Sequence, residues 1–146
     1  MATANVLGTS PPDVLIPHWT GGLDTAWDVT VTHPLQAATV AGAAASPGHA
    51  LEVAVQRKNR GALEDCRRQG IKFIPLAMES LGGWHELAVG EIRKLAAALA
   101  RQSGQDEREA RSHLLQKLSV LLMRGNGALF ANRIPDSIES DIDGQM

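Results

Sequence analysis

The chain has 146 residues, 44% of them apolar and 21% charged, with a formal charge of −2 and a single cysteine. That length supports one domain with a real core and gives no case for two, while the lone Cys66 excludes an internal disulfide framework and fits a reducing compartment. The near-neutral charge excludes a broadly basic nucleic-acid binder and leaves phosphate contacts to a local patch; with no long apolar run and no signal-peptide pattern, a soluble intracellular protein is expected.

Residues 1–12 are small, polar and end in Pro11-Pro12, which reads as a loose arm. Val14-Leu15-Ile16 and Ala26–Thr32 follow as strands, joined by a turn at Trp19-Thr20-Gly21-Gly22. Symmetric pairing about that turn sets Asp13 opposite Asp28, Leu15 opposite Ala26 and Pro17 opposite Asp24. Alternation then separates an apolar side, with Val14, Ile16, Trp27, Val29 and Val31, from a mostly polar one with Asp13, Leu15, Asp28, Thr30 and Thr32. A small domain ordinarily turns such a polar face to solvent. Directly opposed carboxylates repel each other, and a divalent cation removes the penalty. Oxygen-only ligands arriving one or two at a time suit Mg²⁺ or Mn²⁺, which keep waters and accept substrate phosphate oxygens, so the pair points to metal-dependent phosphodiester chemistry.

His33-Pro34 ends the second strand, and the Ala/Gly/Ser-rich segment 37–47 reads as a mobile, partly helical connection. A helix is expected from Gly48 to Gln69, stopped by Gly70. Its apolar stripe is Leu51, Ala54, Val55, Ala62 and Cys66, and Lys58 falls inside that stripe. A lysine there either snorkels at an edge or aims its ammonium at a site beneath the helix; beside a carboxylate pair the second reading is preferred. Arg57, Arg60, Arg67 and Arg68 on the same helix supply the local basic patch, whose plain alternative is a solvated face.

Ile71–Met78 reads as the return strand of a βαβ crossover, although Pro75 argues against a fully hydrogen-bonded central position. After Gly82-Gly83, a helix is expected over 84–101 with Trp84, Ala88, Ile92, Leu95 and Leu99 on one face. Another is expected over 106–124 with Ala110, Leu114, Leu118, Leu121 and Leu122 buried. Order is expected to decline from Gly125 into a disordered acidic tail, so the domain spans 13–133 with 134–146 outside it. The five histidines, His18, His33, His49, His85 and His113, show no zinc-ligand spacing, no serine has an evident His/Asp constellation, and Cys66 reads as a small core residue. His18 and His33 flank the carboxylate hairpin.

Pro12-Asp13, then fourteen residues, then Asp28-Val29-Thr30, a following helix with Lys58, and Phe73-Ile74-Pro75-Leu76 leading to Glu79 and Gly82-Gly83 resemble the PD-(D/E)XK restriction-endonuclease-like superfamily. The chain is most similar to the restriction-like endonuclease domains of non-LTR retrotransposon polyproteins, over roughly Pro12 to Gly83. The resemblance implies an α/β fold, a small mixed sheet of a hairpin plus a crossover strand flanked by helices. It also implies Mg²⁺-dependent DNA cleavage, with Asp13 and Asp28 as metal ligands, the Val29 carbonyl and Glu79 as further ligands, and a helper lysine. Thr30 stands where that lysine usually lies, so the role passes to Lys58 on the helix, as in some branches of the superfamily. The superfamily core has a helix and a strand ahead of the Pro-Asp strand, whereas twelve residues precede Asp13 here. This implies a fragment of a longer reverse-transcriptase polyprotein, nuclear in location, with an open sheet edge that favours a homodimer. The alternatives are an inactive nuclease-like scaffold serving as a DNA- or protein-interaction module, and an unrelated α/β interaction domain whose acids face solvent.

Overall fold

Gly21 and Gly22 both take positive φ, 60° and 81°, the geometry a two-residue hairpin needs to match strand twist and one that a side chain resists. They join β1 (Val14–Thr20) to β2 (Leu23–Thr32) in a computed structural model that describes residues 11–132, the side chain of Phe130 excepted. Val14, Leu15 and Ile16 pair with Trp27, Ala26 and Thr25, the register expected, although the turn lies one residue later than expected and sets Thr20 opposite Leu23. Pro17 does not pair with Asp24. The ladder shifts between Ile16 and Thr20, because Pro17 has no N–H to give and His18 bends to φ 51°. The Asp24 carboxylate instead accepts the His18 backbone N–H at 3.0 Å.

From Thr32 the chain crosses through α1 (Val40–Ala45), within the segment expected to be a partly helical connection, and α2 (His49–Arg68) into β3 (Lys72–Glu79). β3 pairs parallel to β2 from Thr25↔Lys72 to Thr32↔Glu79, which completes the βαβ unit. The sheet order is β1-β2-β3, so Pro75 lies in an edge strand, where its missing N–H leaves no ladder bond unmade. Met78 and Trp84 form an antiparallel bridge, and Ala77 and Glu79 exchange backbone hydrogen bonds with Gly83 and His85, so a short return covers the last part of that edge. The β1 edge is interrupted by Pro17 and the bulge. The open, pairing-competent edge expected from the sequence is therefore blunted on both sides.

α2 covers one sheet face. Leu51, Ala54 and Val55 pack on Ala77, and Cys66 packs with Ala26 and Phe73. α3 (Glu86–Ser103) covers the other, with Ala88 and Leu95 against Trp27, Ile74 and Leu76. The residues of β2 that alternate with Trp27, namely Asp28, Thr30 and Thr32, consequently lie on the α2 side, so the polar face is roofed by the helix that carries Lys58, as the preferred reading of that lysine expects. The apolar face is the less complete one: Val29 and Val31 are 39% and 48% exposed. Cys66 is 1% exposed, and burial, with Asp65 nearby, pushes its thiol pKa up. A buried neutral thiol should resist alkylation, so iodoacetamide is expected to label Cys66 only as denaturant unfolds the chain, with labelling and loss of helical circular dichroism sharing one midpoint.

One buried carboxylate ties the α3 face together. Glu91, 3% exposed, accepts the indole N–H of Trp19 at 2.7 Å and of Trp27 at 3.0 Å on Oε2, and the Lys94 ammonium at 2.6 Å on Oε1. The two indoles meet edge to face, centroids 5.7 Å apart.

α4 (Glu107–Ala131) packs on α3. It runs past Gly125, where order was expected to decline, and Asn126 donates to the Ser80 carbonyl at 2.8 Å, anchoring the turn that holds the two helix-weakening glycines. Ala110 and Leu122 are buried, Leu114 and Leu118 half-buried, and Leu121 is 61% exposed rather than part of the core. Leu99 of α3 is likewise exposed, and Trp84 precedes α3 rather than opening it. The expected disordered tail, Ser137–Met146, lies outside the described residues, as do residues 1–10 of the expected arm. Among the described residues no helix is long and apolar enough to cross a membrane.

Candidate functional site

Where β1 begins, β2 continues. Residues 28–32 of β2 extend past Val14, the first residue of β1, and the ladder there is finished by a side chain: Asp13 Oδ2 accepts the Val29 N–H at 2.7 Å. Two residues further along the register, Pro12 would stand opposite Val29 in a hydrogen-bonded pair, and proline has no N–H to return to the Val29 carbonyl. In such a pair the N–H and C=O of one residue point the same way, so the Val29 carbonyl shares the Asp13 side of β2 without a backbone donor from Pro12. Pro12-Asp13 thus has a physical meaning at this place. The proline withholds a donor and the aspartate supplies an acceptor.

Asp28 is next to Val29 and points beneath α2, where Lys58 Nζ lies 3.0 Å from its Oδ1. The side chains are 18% and 29% exposed, half-buried on both sides of the contact. The helix geometry accounts for it: at roughly 100° per residue, Lys58 falls near the middle of the arc set by Leu51, Ala54, Val55, Ala62 and Cys66. Its stem follows the apolar stripe and its ammonium meets the carboxylate in the strand below. Arg57, one residue earlier, reaches the Thr30 hydroxyl at 3.5 Å.

The structure therefore ties Asp13 to Val29 and Lys58 to the neighbouring Asp28, with Arg57 at the border. It does not gather the others. Arg60 and Arg67 lie on the side of α2 opposite the stripe, and Arg67 and Arg68 are engaged with Glu64 and Asp65 through contacts of 2.9 and 3.1 Å. The Arg67 guanidinium holds the Glu64 carboxyl below its ordinary range, the sign of a helix-surface pair. Arg60 is exposed and makes none of these contacts. Glu79 pairs with Thr32, four residues along the strand from the Pro75 that faces Asp28, so roughly 13 Å separates the two positions along the strand. Glu79 packs against Gly83.

Among the described residues no three His, Cys, Asp or Glu side chains gather at metal-ligand spacing. Among the described residues, the contacts above use Asp13 Oδ2 and Asp28 Oδ1 and do not engage Asp13 Oδ1 or Asp28 Oδ2. Two carboxylates with a carbonyl fit a hard cation of the Mg²⁺ type, which is commonly held by one or two carboxylates and completed by waters and phosphate oxygens.

The histidines fall elsewhere. His18 lies in the β1 bulge beside Asp24. His33 Nδ1 and Ser80 Oγ are 2.5 Å apart at the carboxyl ends of β2 and β3, a contact between residues 47 apart that sequence spacing did not suggest. His85 caps α3 by accepting the Leu87 N–H on Nδ1, which leaves the Nε2 proton for Glu52 at 3.3 Å. The Gln56 amide and then His85 hold the Glu52 carboxyl below its ordinary range.

Compared with family models, with curated proteins and with solved structures, the chain matches none.

Proposed function

We propose that the chain is a restriction-endonuclease-like domain that hydrolyses DNA phosphodiester bonds with a divalent cation, in the retroelement and nuclear setting that its motif resemblance implies. The observation that carries the proposal is the 3.0 Å contact between Lys58 Nζ and Asp28 Oδ1, made across thirty residues of sequence and from the middle of a buried stripe. Nothing in the packing of α2 requires a lysine there. A leucine or alanine would continue the stripe, so the charge is present for something below it.

In this reading Asp13, Asp28 and the Val29 carbonyl hold Mg²⁺ or Mn²⁺, which when bound polarises a phosphate oxygen and acidifies a water. Lys58 keeps the Asp28 carboxylate oriented and places a positive charge where negative charge grows on the reacting phosphate. Val29 N–H fixes Asp13, and Arg57 is the arginine placed to touch the strand's phosphates. Arg60 and Arg67 face away from the acids and Arg68 is held by Asp65, so these three serve DNA wrapped round α2 rather than the scissile bond.

A second reading rests on a specific observation. Lys58 neutralises Asp28, and Asp13 is spent on the Val29 N–H, so both acids are satisfied by the chain itself. The domain would then be an inactive scaffold that binds DNA or protein. Cleavage of supercoiled plasmid by the purified chain in Mg²⁺ or Mn²⁺ separates the two. Nicking or linearisation that Asp28→Asn lowers by about a hundredfold or more is expected for the nuclease. A folded chain that binds plasmid without cutting it belongs to the scaffold.

A further inference from the structure

α4 presents two faces of different chemistry. Leu114, Leu118 and Leu122 turn toward α3, while the opposite side displays Val120 at 50% and Met123 at 63% exposure, with Leu121 at its border. Two shallow grooves of about 440 and 380 Å³ run along that side, sharing Val120 and Arg124, and the larger is also lined by His113 and Lys117. Between residues 113 and 124 the sequence supplies basic groups and no acid. An apolar row edged by cations is a surface for an acidic, apolar-spaced segment.

The chain carries such a segment immediately after α4. Ile134, Ile138 and Ile142 recur every four residues, the spacing of one helical side, and Asp136, Glu139, Asp141 and Asp143 stand between and after them. Reach is sufficient. The groove lies about 10–27 Å back along α4 from Ala131, and the fourteen residues 133–146 span about 20 Å if helical and about 45 Å if extended. Pro135 stands where a reversal toward the groove would start.

We infer that residues 134–146 dock on the exposed face of α4, the isoleucines over Val120 and Met123 and the carboxylates on Lys117 and Arg124. The segment then covers the apolar face of the last helix, and competes with any acidic partner for it.

Amide hydrogen exchange and nuclear Overhauser contacts in the full chain test this. At low salt the amides of 134–146 are expected to be protected about tenfold or more, with contacts from Ile138 methyls to Val120 or Met123. The charge reversals K117E and R124E together, and separately I138D, should each remove that protection while leaving exchange in α2 and β3 unchanged. Unprotected amides in the unaltered chain overturn the inference. So does protection that survives both variants, or protection that rises with protein concentration, which assigns the groove to a second copy.

Discussion

Removal of the Lys58 ammonium is expected to lower plasmid cleavage by about a hundredfold or more, and to cost the fold about 1–3 kcal/mol. Lys58→Met is the informative substitution, because methionine keeps the stem that packs along the Leu51–Cys66 stripe and deletes only the charge. The stability cost arises from Asp28, which sits 18% exposed and would lose the ammonium that neutralises it. The companion Asp28→Asn removes the carboxylate instead, and the double variant closes a cycle. If the two groups act through their contact, the double variant is less destabilised than the sum of the singles by about 0.5–3 kcal/mol. Additive stabilities would show that the 3.0 Å contact contributes nothing to the fold. Activity measured beside stability separates the two readings: a pair that couples in stability and never cuts DNA is a structural ion pair.

Glu91→Leu is expected to destabilise the chain by about 3 kcal/mol or more, the largest effect of any single substitution considered. Leucine suits a buried helix position by volume and hydropathy, so apolar burial alone would favour the exchange. The hydrogen bonds decide otherwise. Both indole donors, Trp19 and Trp27, lose their acceptor at once inside the α3 face, and each buried unpaired N–H costs about 1–3 kcal/mol. Glu91→Gln keeps a carbonyl oxygen for the indoles and should recover most of the loss, since Lys94 is half-exposed and can turn to water. Chemical denaturation of the three chains with Trp fluorescence as the probe checks the order wild type, Gln, Leu. A leucine variant as stable as wild type would mean that water reaches the indoles.

Much of the scaffold was legible because it is written in local patterns. Gly21-Gly22 marks the hairpin turn, the stripe from Leu51 to Cys66 fixes which side of α2 meets the sheet, and Ile71–Met78 after a helix signals the parallel return. The lysine inside the stripe was legible for the same reason, since a charge out of phase with its neighbours needs a partner. The illegible parts depend on contacts distant in sequence. Nothing local says that Glu91 meets two tryptophans more than sixty residues earlier, or that His33 reaches Ser80. Nor does the local sequence forecast that α4 passes Gly125, because Asn126 is held by the Ser80 carbonyl. The arginines were misjudged as one patch. Their composition was right, but half of them sit on the far side of the helix, and a count of charges carries no angle. Glu79 was misplaced by the same kind of shortcut, since nearness in a motif is not nearness along a strand.

The parallel pairing of β2 with β3 also sets the order in which the site can come into being. The β1–β2 hairpin closes through two residues and can form in microseconds, so Asp13 and the Val29 amide meet early. Asp28 must wait for residues 33–71 to fold across it before α2 can be held against the sheet by β3. Closing that long crossover is an entropic search that precedes its reward, so β3 docking is expected to govern the folding rate. A chain interrupted before residue 72 would keep both aspartates and the lysine in its sequence, yet have no strand to hold the lysine over them.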